Sequence, residues 1–188
     1  DRRALVVDPG DDADRIAATL DAQGLRVAAY LLTHGHVDHV SALAALHRDR
    51  PAPVGLHPAD AGWAFSEANR MPPFYEQPVA PGRIERDLTD NSKWSDAGLA
   101  FRVVPTPGHT PGSVCLWFEQ EAALFSGDTL FAGSIGRTDF PGGDMTAMQA
   151  SLQRLVALPD ATRVYPGHGP TTTIEREKRT NMFLARPQ

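Results

Sequence analysis

The chain of 188 residues has one cysteine, Cys115. A single cysteine excludes an intramolecular disulfide and a thiolate-rich structural metal site. It lies in the apolar run Ser113-Val114-Cys115-Leu116-Trp117-Phe118, which predicts a strand. Its thiol is therefore expected to be an inert core group rather than a nucleophile. Positive charge is also scarce, with 18 Lys and Arg against 23 Asp and Glu and a net charge of −5. No basic cluster is available to neutralise phosphates, which removes the electrostatic case for nucleic acid. No apolar run is long enough to span a membrane. Neither a repeat at solenoid spacing nor a low-complexity segment is present. The length is that of one domain over residues 1–188, enough for a sizeable core. Together these features favour a small-molecule protein in a reducing cytoplasm.

What the chain does have is histidine in one place. His34-Gly35-His36-Val37-Asp38-His39 puts three imidazoles and a carboxylate into six residues, directly after the apolar Tyr30-Leu31-Leu32. Imidazole and carboxylate donors suit zinc, iron or manganese. If the stretch leaves a strand and opens a helix, His34 and His36 can face one centre while Asp38 and His39 face a second. A polar surface turn or a tag-like patch is the bland alternative, but a tag sits at a terminus and lacks the interleaved Asp.

A two-metal site needs more donors than this segment holds, and three further loops offer them. Phe101-Arg102-Val103-Val104 runs into Pro105-Thr106-Pro107-Gly108-His109. Ala122-Ala123-Leu124-Phe125 runs into Ser126-Gly127-Asp128. Arg163-Val164-Tyr165 runs into Pro166-Gly167-His168. Each is a short β-type run ending in a glycine-containing loop with one His or Asp, the pattern of functional groups carried on loops of a rigid scaffold. His47, near the end of the predicted helix Ser41–Arg48, and His57, closing the strand Val54–Leu56, belong to no such loop. Both read as structural.

The set Thr33-His34-Gly35-His36-Val37-Asp38-His39, Gly108-His109-Thr110-Pro111-Gly112, Gly127-Asp128 and Gly167-His168-Gly169 resembles the metallo-β-lactamase superfamily. Within it the chain is most similar to the short form of the glyoxalase II (hydroxyacylglutathione hydrolase) branch. The resemblance implies an α/β fold of the αββα sandwich type with metals at one strand-end edge. It implies two divalent ions, zinc first with iron or manganese as alternatives. His34, His36 and His109 would hold one ion and Asp38, His39 and His168 the other, with Asp128 bridging. Asp8, in Val6-Val7-Asp8-Pro9-Gly10, would support these loops without being a ligand. The implied chemistry is hydrolysis of a thioester such as S-lactoylglutathione by a metal-bound hydroxide, with Asp38 helping to manage the released proton.

Arg137, in Gly136-Arg137-Thr138-Asp139-Phe140, stands where glyoxalases place a basic residue near the substrate's glycyl carboxylate. An ordinary salt bridge with Asp139 or Asp144 is the competing reading. Little follows His168, so the helical domain through which full-length relatives bind glutathione is not expected here, and affinity should be modest. Relatives also carry strands before the position of Asp1, so preceding strands are expected. Two other readings stay open. One is an iron-dependent persulfide dioxygenase, which shares the Gly136–Phe140 stretch, and the other a non-catalytic metal-binding protein of the same fold.

Coarse patterning completes the picture. Asp11–Asp14 supplies caps for a helix through Ile16, Ala17 and Leu20 that ends at Gly24. Leu25–Leu32 predicts a strand, followed by a short helix from about His39. Ser66–Gly82 predicts a long irregular loop that could border a substrate cleft. Three strands alternate with the ligand loops after Leu99. Met145, Met148, Leu152, Leu155 and Val156 mark one face of a helix, and Ile174–Leu184 predicts a closing helix.

Overall fold

The structure, a computed structural model, describes residues 2–89 and 93–184. Asp1, predicted to open the turn before the first strand, lies outside the described residues. The described chain falls into two compact units, one built up to Leu88 with Ser95–Leu99, the other from the remainder.

The first unit begins with β1 (Arg3–Val7), α1 (Ala13–Ala22) and β2 (Arg26–Leu31). It continues through α2 (Val37–Val40), α3 (Leu43–Asp49), β3 (Val54–Leu56), α4 (Pro58–Ala61) and β4 (Arg86–Asp87). Its sheet runs β1-β2-β3-β4, parallel throughout. Parallel neighbours need crossovers, and α1 and α2–α3 supply the first two. Ala29, Tyr30 and Leu31 are all buried, the continuous apolar run expected of a strand covered on both faces. Tyr30 packs with Leu32, Leu43, Leu46, Val54 and Leu56 in one core. Because all four strands point the same way, Asp8, the Thr33–His39 turn and His57 emerge from the same edge.

Here α1 is capped as predicted, with the Asp12 carboxylate accepting from the Arg15 N–H at 3.3 Å. The helix expected after the histidine cluster is instead two. The Ala42 N–H donates to the Pro9 carbonyl at 3.0 Å, while Ser41 Oγ donates back to the Val37 carbonyl at 2.7 Å. A tertiary bond thus replaces a helical one at the junction, which local periodicity cannot foresee. Ser66–Gly82 is irregular as expected, with a single 3-10 turn (Glu67–Asn69) and an isolated bridge between Met71 and Tyr75.

The second unit carries most of a six-stranded sheet. The sheet's longer strands are β5 (Lys93–Asp96), β6 (Leu99–Pro105), β7 (Val114–Phe118) and β8 (Ala123–Gly127). The short strands β9 (Leu130–Phe131) and β10 (Ser134–Ile135) follow, then α5 (Met145–Leu155), β11 (Arg163–Pro166), β12 (Thr172–Thr173) and α6 (Ile174–Thr180). The sheet order is β12-β11-β8-β7-β6-β5. Since β7 is antiparallel to both β6 and β8, and β11 is parallel to β8, the strands β6, β8 and β11 share one direction. Their C-terminal loops, which carry His109, Asp128 and His168, therefore open on one edge. Cys115, Leu124, Leu130, Met148, Leu152 and Val164 form the core beneath.

The Asp144 carboxylate caps α5, accepting from the Thr146 and Ala147 N–H groups at 2.7 and 3.1 Å. Met148, Leu152 and Leu155 are buried as predicted, but Met145 is 42% exposed. It is the first helical residue, one turn before α5 reaches the core. The closing helix stops at Thr180 rather than Leu184, because the Asn181 amide turns away to donate to the Ser134 carbonyl and to Glu177. The additional strands β9, β10 and β12 are two residues each, too short for any period to register.

Candidate metal centre

In the first unit the donors are organised by one carboxylate. Asp8 stands just past the end of β1 in a left-handed conformation (φ 47). Its Oδ1 accepts from the Thr33 N–H at 2.7 Å, and its Oδ2 accepts from the Thr33 hydroxyl at 2.6 Å. Asp8 Oδ2 also lies 3.0 Å from His39 Nδ1. The Thr33 hydroxyl proton is committed to Asp8, so His34 Nδ1, 3.1 Å from Thr33 Oγ1, is the donor in that contact. Asp8 thereby fixes the tautomer of His39 directly and that of His34 through Thr33. In both rings Nε2 is left as the ligand atom, which is how a carboxylate outside the coordination shell orients imidazole ligands. Charge-assisted bonds of this kind contribute about 1.5–3 kcal/mol each.

The rings themselves are close. The centroids of His34 and His39 are 4.1 Å apart, and those of His34 and His36 are 4.9 Å apart. Asp38 Oδ2 lies 3.9 Å from His39 Nε2. His34 and His39 are buried, whereas Asp38 is a quarter exposed and can meet solvent or substrate. Donor atoms of Asp8, His34 and His39 fall within 4.8 Å of one another. Asp8 is already engaged by Thr33 and His39 Nδ1, which fits it as a support rather than a ligand.

The second unit follows the same logic with dispersed residues. His109 Nδ1 donates to the Arg137 carbonyl at 2.7 Å, which directs its Nε2 the other way. That Nε2 lies 3.5 Å from Asp128 Oδ2, and His168 Nε2 lies 3.6 Å from the same oxygen. Asp128 therefore sits between two imidazoles from different loops, the placement a bridging carboxylate requires. Gly136 packs so closely on the Asp128 carbonyl that a Cβ there would lie 1.8 Å from the oxygen. The loop around His109 is tightened by the Thr110 N–H and hydroxyl, 3.0 and 2.8 Å from Ser113 Oγ. His168 is about half exposed, so this unit's site opens to solvent on its side.

Arg137 forms a bidentate pair with Asp139, both N···O distances being 2.7 Å, and its guanidinium lies 3.9 Å from the Phe140 ring centroid. The hydrogen bond from Arg137 holds the Asp139 carboxyl down at about 2. The ordinary salt bridge considered from sequence is thus formed with Asp139. What sequence did not indicate is the role of the Arg137 carbonyl in orienting His109. Cys115 is fully buried, and burial pushes its thiol up to about 11. The thiol stays protonated at neutral pH, as expected of a core group. His57 caps α4 through Nδ1, which accepts from the Ala59 N–H, and His47 sits in the last turn of α3 with its ring centroid 6.0 Å from that of Tyr30. Tyr75 is pushed above its ordinary value by burial first, then by the carboxylates of Asp11 and Asp38.

These donors, ordered by shared supports and lacking sulfur, fit hard or borderline divalent ions. Residues 1–168 match the metallo-beta-lactamase superfamily. The chain belongs to that superfamily. Hydroxyacylglutathione hydrolase GloC of Haemophilus influenzae is 33% identical over 197 residues, covering 98% of this chain and 88% of GloC. Among solved structures, BLEG-1 B3 metallo-beta-lactamase superposes with a TM-score of 0.93 at 39% identity, over 98% of this chain and 90% of its own. TTHA1623 in a di-iron-bound form gives a TM-score of 0.87 at 42% identity, over 95% and 88%. The fold is the α/β metallo-β-lactamase fold expected from the motifs. The protein is a metal-dependent hydrolase of that superfamily with candidate sites for two ions. Among the described residues no helix is long and apolar enough to cross a membrane.

Proposed function

We propose that the protein hydrolyses a small-molecule thioester of the S-lactoylglutathione kind at a dinuclear centre. His34, His36 and His109 hold one ion, Asp38, His39 and His168 the other, and Asp128 bridges them. The observation that carries the dinuclear reading is Asp128 Oδ2 lying at nearly equal distance from the Nε2 atoms of His109 and His168. The thioester reading is supported by likeness to GloC over almost the whole chain. Bound ions supply Lewis acidity and an activated water at neutral pH. The chain's own contribution is orientation. Asp8 and the Arg137 carbonyl set three imidazoles in one tautomer, and the partly exposed Asp38 receives the proton released at the reacting face. Cys115 is not the nucleophile, because its thiol is buried and protonated. A reducing cytoplasm is the compartment this reading assumes.

Zinc is the proposed ion, and the di-iron form of TTHA1623 makes iron the competitor to test. A second hydrolytic reading, opening of a β-lactam amide, is favoured by BLEG-1. The deciding experiment runs three assays on the same zinc- and iron-loaded samples. These are loss of S-lactoylglutathione, cleavage of a chromogenic cephalosporin, and oxygen uptake with glutathione persulfide. Thioester loss should dominate. Oxygen uptake with iron and no thioester loss under either metal would make the protein a persulfide dioxygenase. Cephalosporin cleavage alone would move it to the lactamases, and silence in all three arms with metal bound would leave a non-catalytic metal protein.

A further inference from the structure

Gly35, between the two histidines of the first proposed ion, is gripped from the segment that follows β3. Its N–H donates to Asp60 Oδ2 at 3.0 Å, and its carbonyl accepts from Asn69 Nδ2 at 2.7 Å. The second Asn69 amide hydrogen goes to the Ala64 carbonyl at 2.6 Å, which ties the grip to its own segment. Asp60 is fully buried and Asn69 nearly so. A Cβ at Gly35 would lie 3.0 Å from Ala64 Cβ and 3.2 Å from both Asp60 Cβ and the Trp63 ring, so the turn has no room to shift. The Trp63 ring also leans on His36, with centroids 5.4 Å apart. None of these residues stands among the proposed ligands.

The geometry points to Asp60 and Asn69 as positioning residues that set the relative orientation of His34 and His36, and with it the affinity for the ion those two hold. The Gly35 N–H lies in the plane shared with His34, and its carbonyl lies in the plane shared with His36. Fixing both groups fixes both planes, and so the directions in which the two Cα–Cβ bonds leave the backbone. Glycine, with no Cβ, would otherwise leave this joint conformationally permissive. Burying a carboxylate is costly unless it accepts hydrogen bonds. Asp60 meets that cost by accepting from the backbone of the ligand turn itself. Asp8 and Thr33 hold His34 and His39 from the β1 side, while the Asp60–Asn69 pair and the Trp63 ring bear on the Gly35–His36 side.

This inference rests on the proposed ligand assignment, and cobalt(II) binding separates the two. The metal-free protein is titrated with cobalt against a chelator, following the visible absorption bands, with circular dichroism reporting the folded fraction. His36→Ala should remove one equivalent and leave the other. Asp60→Ala and Asn69→Ala should weaken that same equivalent about 10- to 100-fold, the scale of an outer-shell partner, and alter its bands. The second equivalent should stay within about 3-fold, well short of that scale. A folded Asp60→Ala protein that binds both equivalents as wild type does, or weakens both alike, overturns the clamp. If His36→Ala itself costs no equivalent, the ligand assignment fails instead. Should neither clamp variant fold, amide exchange in wild-type metal-free protein decides. The Gly35 N–H should exchange slowly, and fast exchange overturns the inference.

Discussion

In the first unit four donors leave a single turn after β2, whereas in the second three donors come from loops after β6, β8 and β11. The first arrangement depends on local backbone, so its precision must come from outside the turn. Asp8 supplies it to two rings, and the Asp60–Asn69 pair grips the peptide between His34 and His36. The second arrangement depends on register. Pro166 pairs with Gly127 across β11 and β8, which brings the loops of His168 and Asp128 side by side. Nearness along the chain thus shifts the burden to supporting hydrogen bonds, while distance shifts it to the sheet.

Breaking the second unit should do the most damage. Asp128→Ala should strip metal and turnover together, beyond the loss of about 10- to 100-fold seen for outer-shell partners, because its carboxylate is shared. Elemental analysis of protein purified without added metal should find about two ions in wild type and clearly fewer in the variant. Full metal and full rate in Asp128→Ala would mean the bridge is misassigned.

Breaking the support in the first unit should come next. Asp8→Ala should weaken metal binding about 10- to 100-fold, since two imidazoles lose their orientation at once. Chelator competition measures it, and Thr33→Ala should reproduce the part of the loss that passes through His34. If Thr33→Ala matches wild type, His34 is oriented by something other than this relay.

Arg137→Ala sharpens the comparison, because its carbonyl and its side chain do separate things. The backbone bond to His109 survives the substitution, so metal content should hold. If the guanidinium also leaves Asp139 to grip a substrate carboxylate, KM should rise several-fold with little change in kcat, the pattern of uniform binding. A thioester lacking that carboxylate should show no such change. Equal KM values for wild type and variant would confine Arg137 to its pair with Asp139.

The smallest effect concerns Cys115. Its folded value of about 11 lies above the ordinary 9.0, so the stability gained from the neutral buried thiol is intact below pH 9 and is lost as pH rises through 11. Wild type should lose more stability over that window in urea melts than Cys115→Ser, which keeps only the alkaline loss due to Tyr30, itself pushed up to about 12 by burial. Turnover in the serine variant should stay within a few-fold, since the group is packing material. A folded Cys115→Ser protein without activity would bring a nucleophilic thiol back.

The donors were legible because they sit where apolar runs stop, at His34–His39, His109, Asp128 and His168. Asp8 was legible by motif. Asp60 and Asn69 were not, for they lie in a segment of mixed polarity with no period and no ligand, and their partner is a backbone group twenty-five or more residues away. The break between α2 and α3 was hidden for a similar reason, being set by the Pro9 carbonyl.

From the sequence alone came the chemistry and the strand-end logic: which side chains can bind a divalent ion, that sulfur plays no part, and that strands carry the loops. These depend on residue type and on local periodicity, both written along the chain. Tertiary structure decided which ring nitrogen of His34, His39 and His109 is held by a support, that the Arg137 carbonyl rather than its charge serves His109, and that Gly35 is held on both sides. Those are matters of hydrogen-bond direction between distant segments, and direction exists only once the strands have paired and the loops have met.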